Sequence, residues 1–269
     1  MAEADAIAAV DEPVTVTSLV DDLRDLGLSR GDVVLVHASL QELGWVCVDA
    51  QAVVDALMRT VTPEGTLVMP THSAQYSDPG DWSNPPVPES WVETVREERP
   101  PYRPETTPTR GMGAIAECFR TYPDVQRSAH PVYSFAAWGQ EANSIVADHA
   151  FDDGLGERSP LSRVYDHDGS VLLLGVDYEP NTSLHLAESR ADIDLPSFET
   201  SAPVLENGER VLRRYVDLEY DDSDFGTIGE AFEAAHEVRR GTVGAATTIT
   251  FSQPEMVDFG IEWLEEHRG

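Results

Sequence analysis

The sequence predicts an α/β fold: a mainly parallel central sheet covered by helices, followed by a C-terminal β-hairpin/α subdomain. Three observations predict it. Helical and strand patterns alternate through residue 69; apolar runs at 33–36, 66–69 and 171–176 are bounded by turn residues, as buried strands are; and Asn207-Gly208 stands between two strand-like runs, a strong hairpin signal.

Residues 1–14 are small, acidic and proline-containing, which predicts a loose arm before a single domain over 15–269. Thr17 opens a helix with Leu19, Val20, Leu23 and Leu26 on one face, closed by Gly27. Gly31 and Asp32 turn the chain into the 33–36 strand, which ends in His37, Ala38, Ser39 and Leu40. Val53, Val54, Leu57 and Met58 stripe the next helix, and Pro63, Glu64 and Gly65 stop it before the 66–69 strand. From 70 to 109 the pattern gives way to a segment rich in Pro, Ser and Asp that carries Trp82 and Trp91. A loop of that length predicts a lid or binding loop near the site. Gly111 and Gly113 lead into a helix through Ala116 and Phe119, and an apolar strand follows at 132–138. Residues 200–269 hold the hairpin, helices at 225–236 and 253–267, and a β-rich stretch at 243–251 between them.

Composition excludes several classes. With 49 acidic residues against 18 basic ones the net charge is −31, and every basic residue is Arg, since the chain contains no Lys. Such a surface repels nucleic acid and anionic membranes. The carboxylates are interleaved with regular apolar segments, which points to a folded protein with an acidic shell. That composition fits a high-salt cytosol, where self-repulsion is screened within about 3 Å at 1 M. Cys47 and Cys118, the two cysteines, sit among apolar neighbours and make neither a disulfide framework nor a zinc cluster. Residues 1–13 lack the basic and apolar regions of a signal peptide, and no stretch nears the ~20 apolar residues that span a bilayer, so a cytoplasmic protein is expected.

The chemistry centres on residues 171–188, a core strand, a polar turn and a helix start at Thr182 and Ser183. His185 and Glu188 fall one turn apart on one helical face just past a strand end, the edge where open α/β sheets place their sites. A histidine there can act as a general base, and a carboxylate can fix its tautomer. A helix pair facing solvent has the same spacing. The histidines show no His-Glu-x-x-His pattern, and His185-x-x-Glu188 reverses the Glu-x-x-His order of di-iron bundles, so no metal is expected. Gly-x-Ser-x-Gly is absent, and Gly111-x-Gly113-x-x-Ala116 follows Pro and Thr rather than a strand, which sets aside serine-hydrolase and dinucleotide-binding readings.

VHASL at 36–40, GTLVMPTHS at 65–73, TPTRGMGAIAE at 107–117, RSAHP at 127–131, GLGERSPLSRVY at 154–165, LLLGV at 172–176 and NTSLHLAE at 181–188 occur in one order. Together they resemble the aminoglycoside 3-N-acetyltransferase family over nearly the whole chain. The resemblance implies transfer of acetyl from acetyl-CoA, the acyl-donor cosubstrate, to an amine, on that family's own α/β fold. The partners it implies are a small-molecule amine and coenzyme A, with a homodimer left open. It assigns the base to His185 and an assisting carboxylate to Glu219 in YVDLEYD; helix spacing instead offers Glu188, and both stay candidates.

Acetyl-CoA is expected near Ser39, near Thr71, His72 and Ser73, and at the helix start formed by Thr109, Arg110, Gly111, Met112 and Gly113. Arg110 and Arg127 are the expected phosphate contacts, because a guanidinium fork donates two bonds at once. His130 is expected to line the pocket on the substrate side. Relatives often carry an acidic residue just after the MPTHS strand; here Gln75 takes that place and Asp78 stands near it, which argues against a polycationic aminoglycoside as the natural acceptor. An acyl-CoA or amide hydrolase and a noncatalytic CoA-binding protein remain alternatives. Lowering KCl from about 2–3 M to about 0.1 M is expected to unfold the protein, as read by circular dichroism. Unchanged structure and activity at low salt would separate the acidic shell from salt adaptation.

Overall fold

The computed structural model describes residues 3–269. At its centre β1 (Val33–Ala38) is an apolar run buried on both faces, paired in parallel with β2 (Thr66–Pro70) and with β5 (Ser170–Leu174). The parallel part of the sheet stops at these three strands. β4 (Phe135–Gly139) runs antiparallel to β2 and to the short β3 (Gln126–Arg127), while β9 (Ala246–Ser252) runs antiparallel to β5 and to β8 (Arg239–Val243). The order is β3-β4-β2-β1-β5-β9-β8, so the expected mainly parallel sheet is instead a parallel core between antiparallel flanks. The connections explain the correction. β8 and β9 are joined by Gly244 and Ala245 alone, and so short a turn returns a strand antiparallel. Parallel neighbours need a crossover, which α3 (Asp49–Val61) supplies between β1 and β2.

Because strand side chains alternate, Val34, Val36, Leu172 and Leu174 face one helical layer and Leu35, Val171 and Leu173 the other. The first layer is α2 (Val16–Asp25), α3 and α5 (Gly113–Phe119), which bury Leu19, Leu23, Leu57 and Phe119. The second contains α6 (Ala142–Val146), α7 (Pro160–Asp166), α8 (Ser183–Arg190), α9 (Phe225–Ala235) and α10 (Gln253–Arg268), which bury Ile145, Leu161, Leu184, Phe232 and Met256. Thr15, not Thr17, caps α2: its hydroxyl accepts from Ser18 N–H at 3.2 Å, and the Ser18 hydroxyl accepts from Thr15 N–H at 2.9 Å. The expected loose arm is also ordered over its described part, with α1 (Glu3–Ala8) and a buried Val14 that bridges to Val46.

β6 (Ser197–Glu206) and β7 (Glu209–Leu218) form the expected hairpin as a separate two-stranded sheet, turning at Asn207 and Gly208 with φ +52° and +85°. The 70–109 segment contains α4 (Glu89–Glu98) and lies on this hairpin. Tyr102 N–H donates to the Pro203 carbonyl at 2.8 Å, and Arg210 donates to the carbonyls of Arg96 and Arg99. Among the described residues no helix is long and apolar enough to cross a membrane. β4 ends at Gly139, φ +112°, where an added Cβ would stand 2.0 Å from the Gly65 carbonyl oxygen. Gly139→Ala is therefore expected to remove about 2–4 kcal/mol of stability, measured by denaturant unfolding at fixed high salt.

Candidate active site

The C-terminal ends of β1, β2 and β5 meet at one sheet edge. Beyond β5, Gly175 takes φ +68° and the turn closes at Asn181, whose Oδ1 accepts from Ser183 N–H at 3.2 Å. Thr182 already has helical backbone angles and makes no side-chain cap bond, so Asn181 starts α8 instead. On this helix His185 Nδ1 lies 2.7 Å from Glu188 Oε2. Glu188 is fully buried, and its Oε1 accepts from Arg268 Nη1 at 2.9 Å and from Asp221 N–H at 3.1 Å. With Nδ1–H donating to the carboxylate, Nε2 keeps its lone pair, the form a base requires. The ring stands against Tyr220 and Phe225, with centroids 5.1 and 4.8 Å away, and Tyr133 continues the wall edge-on to Tyr220 and His72.

Glu219, the carboxylate matched by resemblance, is exposed, and its N–H donates to the Pro196 carbonyl; the bond to His185 belongs to Glu188. The carboxylate that β7 turns inward is Asp217, because Tyr215 and Asp217 share the buried face while Val216 points out. Burial pushes the Asp217 carboxyl up to about 6, against the bond it accepts from Leu218 N–H at 2.9 Å. Sequence reasoning passed over Asp217, Tyr133, Tyr220 and Arg268. Alternation within YVDLEYD was the available signal for Asp217; Arg268 lies 80 residues from Glu188, and no local pattern marks it.

Three other histidines lie close by. His37 is buried at the end of β1 with Nε2 3.4 Å from the Thr182 hydroxyl, and burial, then the proximity of His185, lowers it to about 3. His72 is lowered to about 3 by burial and then by His185, His130, His37 and Arg127. Both are neutral near pH 7, able to hydrogen-bond without carrying charge. His130, expected on the substrate side, is taken up internally. Its Nδ1 accepts from Val132 and Tyr133 N–H at 3.2 and 2.9 Å, and its Nε2 donates to the Phe151 carbonyl at 3.3 Å.

A cleft of about 470 Å³ opens between the ends of β1 and β2 and the start of α5, lined by Ser39, Gly111, Met112 and Gly113 together with His37 and Thr182. Arg110 is exposed at its rim, with its guanidinium 6.0 Å from the Trp82 ring centroid. Several residues expected to contact the cofactor are hydrogen-bonded within the protein. Arg127 donates through Nε to the Thr71 and Ser134 hydroxyls, through Nη1 to the Pro104 and Thr107 carbonyls, and through Nη2 to the Thr71 carbonyl and Ser73 hydroxyl. All its donors are engaged, so none is left for a phosphate. The Thr71 and Ser73 hydroxyls donate to the Ser134 and Pro108 carbonyls, and Thr109 donates through N–H and hydroxyl to Glu117. Asp78, expected to meet substrate, holds Arg96 at 2.7 and 2.9 Å; burial works against ionisation, but the bonds from Arg96 and Gly80 N–H keep its carboxyl below the usual range. Gln75 Nε2 donates to the Pro108 carbonyl at 2.8 Å.

A family model described as aminoglycoside 3-N-acetyltransferase matches residues 35–265. The chain belongs to the aminoglycoside 3-N-acetyltransferase family. It is 48% identical over 253 residues to the SPbeta prophage-derived aminoglycoside N(3')-acetyltransferase-like protein YokD of Bacillus subtilis, covering 94% of this chain and 93% of that protein. The crystal structure of YokD matches with a TM-score of 0.96 at 45% identity, over 98% of both chains. Aminoglycoside N(3)-acetyltransferase VII of Streptomyces paromomycinus is 39% identical over 276 residues, 96% of this chain and 94% of that one. AAC-IIIb, solved as a binary complex with CoASH, matches with a TM-score of 0.87 at 32% identity, over 96% of this chain and 98% of that chain.

Membership in the aminoglycoside 3-N-acetyltransferase family makes the chain an acyltransferase and fits the order of its seven motifs. Within that frame Arg127 and Arg110 are expected to part ways. Arg127→Met should cost about 2–3 kcal/mol of stability, because it strips a half-buried guanidinium of its bonds to six neutral oxygens, whereas Arg110→Ala should stay within about 0.5 kcal/mol. Thermal unfolding of both variants at high salt checks this.

Proposed function

We propose that the protein transfers acetyl from acetyl-CoA directly to a primary amine, of aminoglycoside type or another small amine, in a high-salt cytosol. His185 is the general base and Glu188 its orienting carboxylate. The observation that carries this reading is the 2.7 Å contact between His185 Nδ1 and the buried Glu188, beside a cleft of about 470 Å³ that suits a pantetheine arm. A relative with the same fold is solved with CoASH, and relatives along the whole chain are named aminoglycoside N(3)-acetyltransferases. Ser39, Gly111, Met112 and Gly113 line the donor side, and Arg110 supplies the free guanidinium fork for phosphate.

His185 Nε2 accepts the amine proton as the nitrogen attacks the thioester carbonyl carbon. The C–N bond forms, the C–S bond breaks, and the proton passes to the departing thiolate, giving amide and CoA thiol. Glu188 keeps the ring in its Nε2-basic tautomer and stabilises the imidazolium; such base assistance contributes roughly 10²- to 10⁴-fold. Asp217, walled by Tyr133, Tyr215 and Tyr220, receives a second ammonium of the acceptor, since a buried carboxylate with no cation beside it among the described residues favours one.

CoA-thiol release should require amine when acetyl-CoA is supplied at about 2–3 M KCl with a panel of aminoglycosides and polyamines. Release without amine would instead make the protein a hydrolase. His185→Ala should lower kcat at least about 10²-fold with CoA affinity nearly intact, Glu188→Gln about tenfold, and Glu219→Gln not at all. Below about 6 Asp217 is protonated and attracts no ammonium, so KM for a polyamine should fall as pH rises through about 6. That dependence should vanish in Asp217→Asn.

A further inference from the structure

Resting on the assignment of His185 and Glu188, we propose that Arg268, in the last turn of α10, is a positioning residue that completes the charge network of the catalytic pair. Glu188 is fully buried yet serves two partners: Oε2 holds His185, and Oε1 takes Arg268 Nη1 at 2.9 Å and Asp221 N–H at 3.1 Å. The guanidinium is itself fixed. Its Nε donates to Asp224 Oδ2 at 2.9 Å and its Nη2 to the Asp221 carbonyl at 2.9 Å, with Asp221 Oδ2 at 3.6 Å. One side chain therefore joins α10, the 221–224 turn and α8 at the carboxylate that orients the base.

The remaining groups around the pair do not substitute for this cation. His37 and His72 are held neutral, chiefly by burial, and Tyr220 and Phe225 pack against the His185 ring without carrying charge. Removing a positive charge from a buried acid–base pair favours its protonated form. Without Arg268 the buried pair loses the cation bonded to Glu188, and the acidic limb of the rate profile is the readout that reports the loss.

The test compares Arg268→Gln, Arg268→Lys and His185→Gln by kcat/KM from about pH 5 to 9 at high salt, with acetyl-CoA affinity measured alongside. In Arg268→Gln the acidic limb should move up by about one unit, so that kcat/KM falls about tenfold on the limb and less than about threefold at pH 9. Arg268→Lys should restore the limb's position, and acetyl-CoA affinity should not change. The position of a limb does not depend on how much enzyme is folded, so a destabilised variant still gives the answer. A limb unmoved in Arg268→Gln, whatever its loss of stability, overturns the inference and leaves Arg268 as a structural clamp. If His185→Gln retains full activity, the base assignment fails first, and that outcome is visible without any Arg268 variant.

Discussion

A fully buried carboxylate must be satisfied on both oxygens, and Glu188 imposes that requirement on three segments at once. One oxygen fixes His185 on the same helix; the other needs Arg268 from α10 and the Asp221 N–H from the turn after the hairpin. α10 can come close enough because Gly260 faces α8, where an added Cβ would stand 2.9 Å from Leu184 and 3.0 Å from Ala187. Moving any of these parts would leave a charge stranded in the core, which costs several kcal/mol. The geometry of the base is thus a consequence of how the second helical layer packs.

A chain with 49 acidic and 18 basic residues has few cations to place, and those that hold the site are engaged several times over. Arg127 binds the 70–109 segment to the sheet end through six oxygens, Arg96 holds Asp78 in a two-bond fork, and Arg268 reaches Glu188, Asp221 and Asp224. Screening in molar salt weakens exposed ion pairs most and partly buried, hydrogen-bonded ones least. Contacts of this kind lose little when salt is raised.

What the sequence disclosed were features set by neighbours in the chain. β1, β2 and β5 follow from apolar run length, the Asn207-Gly208 turn from its need for positive φ, and the contact between His185 and Glu188 from helical spacing. What it withheld depends on partners far away. The antiparallel flanks depend on which strand β4 and β9 meet, and no apolar run records that. Arg127 has the chemistry of a phosphate ligand, but the oxygens of Thr71, Pro104 and Thr107 surround it first. Glu219 lies two residues beyond Asp217, yet β7 ends at Leu218, and only Asp217 turns into the core.

That last difference bears on how an acceptor is recognised. Of the residues expected to meet a cationic amine, Asp78 is taken by Arg96, and Gln75, whose Nε2 donates to the Pro108 carbonyl, offers only a neutral, buried amide oxygen. At molar salt a charge on the acidic surface is screened within about 3 Å, so the net charge of −31 gives little long-range steering. On the proposed reading, discrimination falls to contacts that screening cannot reach. Asp217 is 3% exposed among tyrosines and has no cation beside it among the described residues, so an ammonium that serves as its counter-ion gains there what it would lose at the surface. An acceptor with two amines spaced to reach both Asp217 and the His185 ring would satisfy that geometry, and a monoamine would satisfy only half of it.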